Sequence, residues 1–191
     1  MVTSKRLCLP IFEKCKRTDY FMEETLLQID NGMYKIRQLK ESEAVLYKTM
    51  RLEAIQTEAS MFRISTTPEN ELTDLEWQER IKYPRIVFIL FKNEKPIGMT
   101  SMLLLNDQEA SLGQSYIKKR FRGLGLSKLL YQIRMKYAVK LHLKRLTVSH
   151  RKSNTASKAA NQRIGFIYTH LETMNWLDGT TEDVLYYVLD L

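Results

Sequence analysis

Residues 120–130 read RFRGLGLSKLL, and the interpretation of the whole chain turns on this stretch. Two of the seven glycines, Gly123 and Gly125, stand between a basic run and the start of an apolar helical pattern. Upstream, EASLGQSY (109–116) reads as a strand, and downstream a helix continues to about Lys140. The first backbone N–H groups of a helix lack internal partners, and the helix dipole adds partial positive charge there. Glycines let a bulky anion reach those amides with no side chain in the way. The stretch therefore reads as a phosphate cradle, reinforced by Lys118, Lys119, Arg120, Arg122 and Lys128.

The charge distribution agrees. The 191-residue chain carries a net charge of +8, and the excess sits in one segment. Residues 111–165 hold 14 basic and no acidic side chains, whereas residues 166–191 hold five acids and no base. Residues 1–32 balance, and residues 33–110 come to −1. A localised positive field implies an anionic partner, and a solvated basic face is the plainer alternative. The length suits one domain with a proper core. No apolar run approaches the roughly 20 residues of a membrane-spanning helix. LCLPIF, after Lys5 and Arg6, is too short and too quickly followed by charge for a secretory signal, so a cytoplasmic protein is expected. Cys8 and Cys15 have six residues between them, which fits no CxxC pair, and two reduced thiols are expected.

Working outward, Asn31-Gly32 sits between two apolar stretches and predicts a type I′ hairpin joining strands at 25–30 and 33–38. Residues 40–58 read as a helix with Val45, Met50, Leu52 and Ile55 on one face, and 60–70 as a loop. Thr73, with Glu76 three residues on, is a capping box opening a second helix that ends before Pro84. RIVFILF (85–91) is continuously apolar, as in a strand buried on both faces. Strands follow at 97–105 and 143–149. A helix over 153–164 is capped by Ser153 or Asn154 and stopped by Gly165. The last two strands, 166–176 and 181–191, are joined by LDGT. The order is a mixed α/β layer without repeats or a linker.

Two common phosphate motifs fail on spacing. A Walker A loop needs Gly-Lys-Ser/Thr after four spacer residues, and none is present. A dinucleotide fingerprint needs a third glycine where Lys128 stands, and an acid about 20 residues on, where none exists. A third pattern fits. Arg120-Phe121-Arg122-Gly123-Leu124-Gly125, together with Asn154, Ser157 and Gly165-Phe166 in order behind it, resembles the GNAT family of N-acetyltransferases. The opening of residues 33–62, EWQERI and KPIGMTSM also look like the first half of that family. The resemblance covers about residues 33–191 and leaves residues 1–32 as an extension with an extra strand.

The resemblance implies a mixed α+β fold, with a central, mostly antiparallel sheet, a splayed parallel strand pair and flanking helices. It implies acetyl-CoA as cosubstrate, no metal, and acetyl transfer to a primary amine by direct attack on the thioester. The diphosphate is expected on Arg122, Gly123, Leu124, Gly125, Leu126 and Ser127, beside Arg120. The pantetheine arm is expected against Gln114, Ser115 and Tyr116, with Asn154 and Ser157 opposite; Asn154 also suits a plain helix N-cap. His142, His150 and His170 are too scattered for a metal site. The amine must lose a proton, because a free lysine amine has a pKa near ~10.4. The catalytic group is left open among His150, Glu109, Glu172 and Tyr168. His150, just past the strand 143–149, is expected more as an exposed loop residue than as a base. Many members carry a tyrosine acid where this chain has Asn161, and Tyr168 or Tyr116 is the substitute.

Two other readings stay open: a CoA-binding regulator on the same fold, and a basic nucleic-acid-binding module. The acceptor is a small-molecule amine or the amine of a peptide or protein. The last strand, ending YYVLDL, is a candidate edge for homodimer formation.

Overall fold

The computed structural model describes residues 26–191. The cysteines and the first residue of the expected strand 25–30 lie outside the described residues. Eight strands form one sheet in the order β1-β2-β3-β4-β5-β6-β8-β7. They are β1 (Leu27–Ile29), β2 (Tyr34–Gln38), β3 (Arg85–Lys92), β4 (Lys95–Leu104), β5 (Glu109–Ile117), β6 (Arg145–Arg151), β7 (Ile167–Asn175) and β8 (Thr181–Asp190). Every pairing is antiparallel except β5 with β6. The helices are α1 (Ala44–Thr57), α2 (Asp74–Ile81), α3 (Ser127–Lys140) and α4 (Thr155–Ile164). This is the expected mixed α+β class.

The β1–β2 hairpin turns through residues 30–33 rather than two residues. Asp30, Asn31 and Gly32 all have positive φ, so two overlapping I′-like turns form, closed by Gly32 N–H to Ile29 O (3.1 Å) and Met33 N–H to Asp30 O (3.0 Å). The apolar run of β3 is buried on both faces as its continuity requires. Val87, Ile89 and Phe91 pack with α1 and α2, while Ile86, Phe88 and Leu90 pack under α3. On α1 the buried stripe is Tyr47, Met50, Arg51 and Ala54. The expected stripe is rotated: Val45 is 71% exposed, because Tyr47, not Val45, meets Trp77 of α2.

Thr73 caps α2 as a full capping box. Its Oγ1 accepts from Glu76 N–H (3.3 Å), and Glu76 Oε2 accepts from Thr73 N–H (2.7 Å). Thr73→Ala is expected to cost about 1 kcal/mol in urea unfolding, and an unchanged midpoint would show that the cap does not contribute.

Two sequence expectations are corrected. β6 runs to Arg151, so His150 lies inside a strand and is buried, not exposed in a loop. β8 lies between β6 and β7, so the strand ending YYVLDL is interior and β7 forms the edge. Strand order depends on long-range pairing, which local composition does not encode.

Candidate functional site

β5 and β6 pair only from Glu109↔Arg145 to Leu112↔Val148. Beyond that they separate: β5 stays with β4 as far as Gly98↔Ile117, and β6 stays with β8 as far as Arg151↔Val184. A bulge accompanies the parting. Gln114 and Ser115 together stand opposite Thr100, and Gln114 takes φ 54°. Such a bulge bends its strand and leaves backbone groups unpaired. The fork opens onto a cleft of about 500 Å³.

The cleft gathers segments that are far apart in the chain. Ser115, Tyr116 and Ile117 line it from β5, Gly123 to Ser127 (Leu124 excepted) from the start of α3, and Ser153 to Ser157 from the start of α4. Glu58, Met61 and Phe62 close it from the end of α1 and the loop beyond. Gly123 (φ 79°) and Gly125 (φ 71°) hold left-handed conformations, and a Cβ on either would meet nothing within 4 Å. Among the described residues, the amides of residues 123–126 take no backbone acceptor. α3 also starts without a side-chain cap or an acid in its first turn. Free donors and the dipole together suit this helix start to an anion.

Of the residues singled out from sequence, Ser115, Tyr116, Arg122, Gly123, Gly125, Leu126, Ser127, Asn154 and Ser157 line this one cleft. Three do not. Gln114 Oε1 accepts from Tyr47 Oη of α1 (3.1 Å), Arg120 stacks on Phe121 (4.9 Å), and Leu124 is 57% exposed. Arg122 is anchored: its Nε donates to Ile117 O (2.8 Å) and its Nη2 to Glu58 (2.7 Å). Asn154 caps α4, accepting from Ser157 N–H at 3.0 Å.

None of the four catalytic candidates lines the cleft. Glu109 begins β5, at the paired end away from the fork, with Arg145 at 3.7 Å. Glu172 and Tyr168 stand on the edge strand β7. Glu172 accepts from Tyr186 Oη (2.7 Å), and Tyr168 meets Tyr187 edge-on (5.8 Å). His150 stacks on Tyr187 (5.2 Å), and its Nδ1 donates to Arg151 O (2.8 Å), which leaves Nε2 buried without a partner. Burial holds its pKa below the ordinary histidine value, assisted by the charge of Lys158.

The structure brings in groups that sequence reasoning missed. Glu53 of α1 accepts from Tyr116 Oη (3.2 Å) and pairs with Lys118 (2.8 Å). Burial raises the Tyr116 phenol pKa, and the Glu53 carboxylate adds to the rise. Glu58 reaches the cleft wall. The only hint in the sequence was negative: residues 111–165 hold no acid, so any carboxylate at the cleft comes from outside that segment. Tyr131 of α3 also lines the cleft, donating to Asn161 Oδ1 at 2.5 Å.

The basic segment is partly neutralised in the fold. Lys118, Arg122, Arg145, Arg151 and Lys152 pair with Glu53, Glu58, Asp190, Asp178 and Asp183. Among the described residues no cluster of three metal-ligating side chains forms, and no helix is long and apolar enough to cross a membrane.

Solved structures share this fold. The ribosomal L7/L12 alpha-N-protein acetyltransferase RimL, in complex with coenzyme A, matches with a TM-score of 0.67 at 17% identity, over 87% of this chain and 98% of that one. The ribosomal-protein-S5-alanine acetyltransferase of Vibrio fischeri gives 0.71 at 15%, over 87% and 97%. A putative acetyltransferase, yncA, of Salmonella typhimurium with its cofactor acetyl-CoA gives 0.67 at 17%, over 83% and 94%. Such low identity speaks to fold alone. No curated protein matches the sequence. The family model described as acetyltransferase (GNAT) family covers residues 51–166, and with the forked sheet and glycine loop in place the chain belongs to that family.

Proposed function

We propose that this protein is an N-acetyltransferase that moves the acetyl group of acetyl-CoA to a primary amine. One observation carries the reading: the forked edge of β5, the glycine loop and the α4 cap line a single cleft. The residues present fit the cosubstrate. The amides of residues 123–126 and the unobstructed glycines suit the diphosphate. The exposed edge at Ser115–Ile117 offers backbone partners for the amides of the arm. Asn154 and Ser157 face it from α4. When bound, acetyl-CoA supplies the activated acyl carbon. The chain supplies orientation and proton transfer. Tyr116, hydrogen-bonded to Glu53 (3.2 Å), gives the proton released by the amine a route to a carboxylate.

The test is thermal unfolding with acetyl-CoA, CoA, ATP and NAD in parallel. Acetyl-CoA and CoA at 100 times their dissociation constants are expected to add about 2.7 kcal/mol, and ATP and NAD little. Peptide α-amines then head a screen for released thiol, because two fold neighbours are named for ribosomal proteins. Stabilisation without thiol release from any amine would favour a CoA-binding regulator. No stabilisation by either CoA compound would end the proposal and turn attention to nucleic acid.

A further inference from the structure

Amine attack on a thioester expels a thiolate, and the cleft must receive that charge and supply a proton. Among the described residues two phenols line the cleft, Tyr116 and Tyr131. The Tyr116 hydroxyl is committed to α1, between Glu53 (3.2 Å) and Thr57 (3.2 Å). Tyr131 is placed differently. Its hydroxyl lies 2.5 Å from Asn161 Oδ1, and Asn161 is 1% exposed with a buried Nδ2 that has no partner. The two ends of a side-chain amide have the same shape. Turning the Asn161 amide over lets Nδ2 donate to the phenol oxygen. That removes the unpartnered donor, leaves a less demanding buried carbonyl, and frees the phenol proton for the cleft.

Arg134 lies behind this pair. Its guanidinium is 4.6 Å from the Tyr131 ring centre and 1% exposed, with Tyr131 rather than a carboxylate as the group acting on its charge among the described residues. Its Nε donates to Leu130 O (2.9 Å) and its Nη1 to Ser115 Oγ (3.3 Å) on the cleft wall, while Nη2 is buried without a partner. Burial lowers the Arg134 pKa to about 10, which still leaves it charged at neutral pH. Burial raises the Tyr131 phenol pKa, and the Arg134 charge pulls it down. An uncompensated cation in a low-dielectric wall favours negative charge nearby.

Building on the acetyltransferase reading above, we infer that Tyr131 is the proton donor to the departing CoA sulfur, oriented by Asn161 and backed by the Arg134 cation. As the C–S bond breaks, its electron pair goes to sulfur. The phenol O–H bond breaks and an S–H bond forms. The phenolate regains a proton from solvent, matching the one released by the amine. Asn161 and Arg134 are positioning residues.

The test titrates the thiol of bound CoA, which needs no acceptor. The alkylation rate of CoA in its complex is followed against pH, with the CoA adduct counted by mass spectrometry. In the wild type the bound thiol is expected to titrate below free CoA. In Tyr131→Phe, with CoA affinity held within about twofold, it is expected about one pH unit higher than in the wild type. Asn161→Ala is expected to move it in the same direction by less, which a purely structural role would not do. It also provides a second reading should Tyr131→Phe lose its fold. An identical titration in wild type and variants, at unchanged affinity, overturns this inference alone. A wild type that binds no CoA overturns it together with the acetyltransferase reading.

Discussion

Gly125→Val is expected to weaken acetyl-CoA binding by at least about 100-fold, roughly 2.7 kcal/mol, in a protein that still folds. Gly125 has φ 71°, and a Cβ built there meets no heavy atom within 4 Å. The added Cβ therefore clashes with nothing in the protein, and the side chain that grows from it occupies the space in front of the helix start. An anion must come within hydrogen-bond reach of those amides, so losing about an ångström of approach forfeits the contact. A β-branched residue at positive φ also costs stability, about 1–2 kcal/mol. Gly179 separates the two effects. It has φ 80°, equally open surroundings and a place in the β7–β8 turn, outside the cleft. Gly179→Val should lose similar stability and keep full affinity. Calorimetric titration of both variants checks this, and undiminished acetyl-CoA affinity in folded Gly125→Val would remove the diphosphate cradle.

The second large effect is expected at Arg51. This α1 side chain holds Glu69 through two bonds, Nε to Oε2 (2.9 Å) and Nη2 to Oε1 (2.7 Å), and lies 4.4 Å over the Phe62 ring. Both partners are about nine-tenths buried, and Arg80 stands 3.3 Å from the same carboxylate. Glu69 and Phe62 belong to the α1–α2 connection, which carries Met61 and Phe62 to the cleft. Arg51→Ala leaves a buried carboxylate with Arg80 as its remaining salt-bridge partner, and a loss of about 3 kcal/mol is expected. Burial pushes the Glu69 carboxyl up, but the Arg51 hydrogen bonds and charge, with Arg80 and Arg85, outweigh it and hold the pKa below the ordinary value.

The pH dependence follows from that direction. A depressed folded pKa means that the native state binds fewer protons than the unfolded chain near the carboxylate range. The contribution is complete above the unfolded value, about 4.3, and is lost as pH falls through the lower folded value. Urea unfolding of wild type and variant should show the full gap at pH 7 and a shrinking one below about pH 4. A gap constant to pH 3 would assign the loss to packing on Phe62 instead.

What the sequence determined by itself is local. The capping box at Thr73, the Asn154 cap and the Gly165 stop follow from groups within a few residues of one another, and the structure has all three. The β3 run announces burial on both faces because its apolar residues occupy both parities of the pleat. The glycine pair announces an open approach to a helix start, since glycine has no side chain to block it, and the structure adds that both hold left-handed backbone.

The tertiary structure decided what depends on distant partners. His150 and Arg151 look like loop residues, yet they are buried at the end of β6 because Asp178 and Thr180 from the β7–β8 turn and Glu182 from β8 satisfy the Arg151 guanidinium. The excess charge of residues 111–165 is met by carboxylates from α1, β8 and the turn before β8, which no charge count along the chain can pair. Glu53 reaches Tyr116, and Tyr131 reaches Asn161, only through the packing of α1 against the sheet and of α3 beside α4. Capping and turn formation use forces that act within one or two turns of chain. Side-chain convergence at the fork is set by packing geometry between elements 30 to 63 residues apart.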